Sequence, residues 1–360
     1  MLTLCLGCPR LRYAVPTDGS YMSHDRTMMI NGFFMVLIIL KHIAEPTGYT
    51  PEGVDAVFRS VVIDPMDQFI VATFFFYSGY GIMSSICRKG DAYVHDLIKR
   101  RFTRMYFNYA VALLIMAGIS STYRYTPDVA AVRFLMHVVS PAGCWFIFST
   151  LVLYLFTWVS FRLLTPGRPW LALGLLAVLT LAYCLVLLPY RPVYELTTEL
   201  CFPAGAAYLL LRPRIDAVLS RMPGPVMAWG VAGILAAVGM QRVASGIAWH
   251  SVHIFCLDSY AGYMQIVVKQ ALAVLFAVGV SWLFAGVSWG KVPRAFTWLG
   301  GTAVFSAYVF QFVPFRILCH WRWNEYSQPL YVIVAFLGVL LVAWLGHAIL
   351  SRLDALIWKN

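Results

Sequence analysis

Two polar side chains stand where an apolar run would exclude them: Asn31 and His42, with Lys41 beside the second, all within residues 29–44. An ionisable or strongly polar group in a membrane span is costly, so it is read as functional by default. Eleven helical steps separate the two, which returns to the same face within about 20° and advances about 16 Å along the axis. Asn31 and His42 therefore share one stripe, one towards each end. The plainer alternative makes His42 an interfacial histidine at the helix end, with Lys41 snorkelling outwards.

A second run reads Phe74-Phe75-Phe76-Tyr77-Ser78-Gly79-Tyr80-Gly81, where glycines let another helix or a ligand chain come close. Ser78 has no glycine two places before it, so it is not a nucleophile elbow, and a packing seam accounts for it as well. The densest basic cluster follows: Arg88, Lys89, Lys99, Arg100, Arg101 and Arg104. Arginine suits multidentate phosphate binding, and attraction to anionic headgroups is the other reading. Further along come Trp145-Phe146 with Tyr154, Glu199, Lys269-Gln270 and Ser306 through Gln311. Aromatic faces beside polar groups suit sugars, although interfacial anchoring is their commoner use. The chain has neither a Walker loop nor a G-x-G-x-x-G. No His/Cys set has metal spacing, so no metal site is expected.

The elements that must position these residues are membrane helices. Of 360 residues, 61% are hydrophobic and 12% charged, about half the charged share of a soluble domain. Apolar runs fall near 29–44, 69–87, 105–121, 143–161, 170–189, 196–211, 225–241, 263–287, 296–315 and 330–350, and a span needs about 20 residues. The expected fold is all-α: a polytopic bundle of about ten transmembrane helices. Phe202-Pro203 reads as a helix break inside the sixth. With the N-terminus inside, the inner segments carry 18 Lys and Arg and the outer ones seven, a positive-inside bias that puts both termini in the cytoplasm. The net charge of +11 then follows from topology and requires no nucleic acid. Residues 1–27 read as a cytoplasmic tail, 28–350 as the transmembrane domain and 351–360 as a second cytoplasmic tail. Cys256 and Cys319 both fall outside in this topology, which permits a disulfide but does not call for one.

Taken in order, these residues resemble the acyltransferase-3 family, multi-spanning bacterial enzymes that O-acylate cell-surface sugars. The likeness runs over Gly32 to His42, Phe74 to Tyr80, Lys99-Arg100-Arg101, Trp145-Phe146 with Tyr154, Phe202-Pro203-Ala204-Gly205, and Ser306 with Tyr308. It departs at Asn31, where the family has Arg or Lys, and at Gln311, where it often has histidine. A distantly related group of membrane sugar acetyltransferases uses asparagine in the first of these places.

The resemblance implies a multi-pass protein of the cytoplasmic membrane with no permanently bound cofactor. Cytoplasmic acyl-CoA, acetyl-CoA foremost, is the implied co-substrate, and a lipid-linked or cell-surface glycan the acceptor. Arg100, Arg101 and Arg104 would hold the donor phosphates, and the pantetheine arm would pass Ser78, Gly79 and Gly81. His42 would act as general base with Asn31 positioning the donor, and Trp145 and Tyr308 would face the substrate. Two other readings fit the same polar residues: a transporter or flippase, and a protein that binds acyl-CoA or glycan without turnover.

Overall fold

The computed structural model describes residues 10–11, 20–44, 53–66, 68–122, 145–164, 168–255, 258–288 and 293–358. Long helices dominate them. We number the long helices α1 His24–Ile43, α2 Phe69–Lys89, α3 Arg104–Thr122, α4 Trp145–Leu163, α5 Pro169–Leu187, α6 Cys201–Leu219, α7 Val226–Phe255 and α8 Asp258–Ala285. Then come α9 Arg294–Thr302, α10 Val304–His320 and α11 Gln328–Ile357. A helix satisfies its backbone groups internally, which is what an apolar solvent demands. Seven of these helices are long and apolar enough to cross a membrane, or eight if α9 and α10 form one span. The expected third and sixth spans coincide with α3 and α6, each of 19 residues. The last turns of α6 carry Arg212, Arg214 and Asp216, so its apolar part is short.

The expected ninth span is broken. The axes of α9 and α10 differ by 69°, and the break follows a π-helical turn over Trp298–Thr302 that contains Gly300 and Gly301. Two glycines and a widened turn are recognised causes of a kink. Conversely, Phe202-Pro203 is no break. Pro203 occupies the first turn of α6, where its missing N–H costs nothing. Pro169 and Pro329 likewise fall at the starts of α5 and α11.

The helices pack through small residues. A Cβ on Gly79 would land on the Phe202 carbonyl oxygen, and one on Gly205 on that of Phe76, so α2 and α6 meet backbone to backbone. The α1–α9 pair is built the same way, with Gly32 against the Phe296 carbonyl and Gly300 against that of Met28. Close approach of this kind is the usual basis of helix association in lipid. The outer faces are apolar in turn. Helix α11 buries Tyr331, Ala335, Val339, Ala343 and Gly346 but exposes Leu330, Ile333, Leu337, Leu341 and Trp344. Large apolar groups outside and small ones inside suit a bilayer, not water.

The described parts of the N-terminal segment contact the body. Arg10–Leu11 pairs with Val287–Ser288. Tyr21 is buried, and its hydroxyl donates to Asp216 Oδ1 at 2.6 Å. Of the two outer cysteines, Cys256 lies outside the described residues, and Cys319 is a free thiol.

Candidate active site

A cavity of about 920 Å3 runs between α1, α2, α4, α9 and α10. Its lining includes both Val71 and Arg88 of α2, residues about 25 Å apart along a helix axis. One end is polar and cationic, with His24, Ser84, Ser85, Arg88 and Arg101. The other is apolar and aromatic, with Ile38, Phe74, Phe146, Phe305 and Tyr308. Rings close this end against each other, Phe146 lying 5.5 Å from Tyr308 and 5.9 Å from Phe74.

Asn31 reaches the cavity because the Gly32 and Gly300 contacts draw α9 onto α1 beside it. Its Oδ1 is buried without a hydrogen-bond partner in a cavity wall. A buried acceptor left unsatisfied in a native fold calls for an explanation. Across the cavity, Ser78 Oγ lies 3.4 Å from the Tyr154 hydroxyl. Gly81 completes this wall, and a Cβ there would meet nothing within 4 Å.

His42 lies one helical turn past Ile38, about 6 Å further along α1. The half-buried ring sits with Nδ1 3.0 Å from Gln311 Oε1 and its centroid 5.3 Å from that of Phe312. Gln311 is fully buried, and its Nε2 donates to the Tyr308 carbonyl at 2.9 Å. The end of α1 is further tied by the Tyr331 hydroxyl, which donates to the Ile43 carbonyl at 3.3 Å.

The residues singled out by sequence divide into two groups. Asn31, Ser78, Arg101 and Tyr308 line the cavity, and His42 stands just beyond its aromatic end. The others are engaged elsewhere. Gly79 is spent on the contact with Phe202. Arg100 pairs with Asp96 on an exposed surface at 2.9 Å. Arg104 pairs with Asp354 at 2.8 Å, fastening α3 to α11. Trp145 packs against Phe75 at 6.4 Å and does not line the cavity.

Glu199 and Gln270 also lie off the cavity. Glu199 is fully buried and accepts from the Thr198 N–H at 3.0 Å and from Gln270 Nε2 at 3.1 Å. Gln270 Oε1 accepts the Leu200 N–H at 2.8 Å. Together they satisfy the N–H groups of Thr198 and Leu200, in the turn that leads into α6. Sequence reasoning gave no separate part to Arg88 or to the His42–Gln311 contact. Arg88 was visible only as one basic residue of six. Gln311 was visible only as a departure from a pattern.

Residues 30–348 match the family model described as an acyltransferase domain, of the acyltransferase-3 type. No curated protein and no solved structure matches the chain.

Proposed function

Because the chain belongs to the acyltransferase-3 family, we propose that it moves an acyl group, acetyl foremost, from cytoplasmic acyl-CoA to a hydroxyl of an extracytoplasmic glycan. The observation that carries this reading is the polarity of one cavity. It joins a cationic end at Arg88 and Arg101 to an aromatic end one turn short of His42. The phosphates of the donor belong at the arginines, whose forked donors match phosphate oxygens. The arm that carries the acyl thioester extends past Ser78, Gly81 and Tyr154. Its amide N–H groups supply what the unpartnered Asn31 Oδ1 lacks. Phe74, Phe146 and Tyr308 shield the thioester end from water.

Transfer then requires one proton to move twice. His42 takes the proton from the acceptor hydroxyl as its oxygen bonds to the thioester carbonyl carbon. As the carbon–sulfur bond breaks, the imidazolium returns that proton to the departing CoA thiolate. General-base assistance of this kind contributes typically about 10²–10⁴-fold. The acyl end must advance about one turn, ~6 Å, beyond Ile38 to meet His42.

The cationic end is assigned to the cytoplasm, where the inner segments collect 18 of the Lys and Arg residues against seven outside. Purified protein in nanodiscs, wild type beside His42→Ala, is given radiolabelled acetyl-CoA and a panel of glycans. Label transfer by the wild type and none by an equally stable His42→Ala variant is the expected result. Binding without acetyl transfer would redirect the donor to succinyl-CoA. No binding of either ester would favour the transporter, the one rival with an observation behind it: the 69° break between α9 and α10.

A further inference from the structure

The His42–Gln311 contact fixes more than a ring position. Gln311 Nε2 donates to the Tyr308 carbonyl, and a carbonyl oxygen can only accept. The side-chain amide is therefore oriented by its own backbone, with Oε1 facing His42 Nδ1 at 3.0 Å. The flipped amide would set its oxygen against the Tyr308 oxygen and lose that bond. An acceptor facing Nδ1 requires a proton on Nδ1 in the neutral ring, and the basic lone pair then belongs to Nε2. Phe312, the next residue, packs its ring 5.3 Å from the imidazole at an interplanar angle of 32°.

We infer that Gln311 is a positioning residue which holds His42 as its Nδ1–H tautomer, so that Nε2 is the atom that takes the acceptor proton. The inference rests on the acyl-transfer reading and deepens it. Base and orienting group within hydrogen-bond reach is the general arrangement of an activated proton acceptor. Here a neutral amide orients the base, and a backbone carbonyl orients the amide.

Two variants separate positioning from mere filling of space. Gln311→Met keeps the volume and removes the acceptor, whereas Gln311→Glu keeps an oxygen opposite Nδ1. A structural role in a buried place favours the apolar isostere, so methionine would be tolerated and glutamate harmful. Positioning predicts the reverse. Gln311→Met should lose about 10²-fold in kcat, with KM for the donor and thermal stability near wild type. Gln311→Glu in its protonated form keeps both bonds, its hydroxyl donating to the Tyr308 carbonyl and its other oxygen facing Nδ1, and should recover part of that activity.

The imidazole 15N spectrum reports the tautomer without turnover, with His42 assigned by its loss in His42→Ala. Wild type should show Nδ1 protonated, and Gln311→Met should release that preference. A protonated Nε2 in the wild type, or an unchanged tautomer in Gln311→Met, would overturn the inference whatever the activity. An active enzyme that loses transfer in His42→Ala but not in Gln311→Met would overturn it while leaving the function intact. No turnover by the wild type would count against the acyl-transfer reading, and the 15N result alone would then decide the role of Gln311.

Discussion

Gly79 and Gly81 stand two residues apart on α2 and serve opposite ends. At Gly79 the space a side chain would fill is held by the Phe202 backbone, which cannot move without moving α6. At Gly81 the same space is open cavity. Gly79→Ala is therefore expected to cost stability, on the order of 1–3 kcal/mol for a forced core insertion. It should lower the thermal midpoint and the yield of folded protein. Gly81→Leu should fold like the wild type and fill the proposed path of the donor. Its KM for acyl-CoA should rise by about tenfold or more, equivalent to about 1.4 kcal/mol of lost binding. Steady-state kinetics and a melting curve on both variants check the pair. An active, stable Gly79→Ala variant would mean that α2 and α6 can separate at no cost.

The arginines after α2 make the same point for an element. Arg100, Arg101 and Arg104 are one residue type in one run, and the sequence gives no ground for separating them. The chain there turns through a π-helical segment, Ile98–Thr103, before α3 begins, and this sends the three side chains in different directions. Arg101 faces the cavity, Arg100 faces Asp96 and Arg104 faces Asp354. Arg104→Ala should consequently leave the donor KM unchanged and cost about 1 kcal/mol of stability. The cost is small because solvent screens Arg104, which is 53% exposed, although Asp354 is 9% exposed. Arg88→Gln with Arg101→Gln should raise the donor KM and leave stability near wild type.

What was legible in advance follows the same division. Asn31 and His42 lie on one helix, so periodicity alone placed them on one stripe. Most apolar runs became helices, because hydrophobic length is a local signal. The Gln311 contact spans 269 residues of chain, and no local pattern encodes it. The break at α9–α10 has a local cue in Gly300-Gly301, which the continuous apolar run over 296–315 covers.

At the scale of the molecule, the cavity separates two kinds of chemistry by a distance a membrane can use. Its cationic end offers arginine forks, and its far end offers rings and, one turn on, an oriented histidine. Substrates of opposite sidedness can meet in such a bundle without either crossing it: only the acyl group changes sides. A sealed vesicle tests this directly. With the protein reconstituted in one orientation, as mapped by cysteine labelling of the 190–195 loop, acetyl-CoA is supplied to one face and glycan to the other. Ester should form only when the CoA ester is on the face bearing Arg88 and Arg101 and the glycan is on the face nearer His42. On the proposed mechanism free CoA should appear on the donor's own side, because its phosphates would stay at the arginines. A carrier would behave differently: donor or product would accumulate across the bilayer without a new ester. Ester formation with both substrates on the Arg88 face would place the acceptor site at the cationic end. It would also remove the reason for building this reaction into a membrane at all.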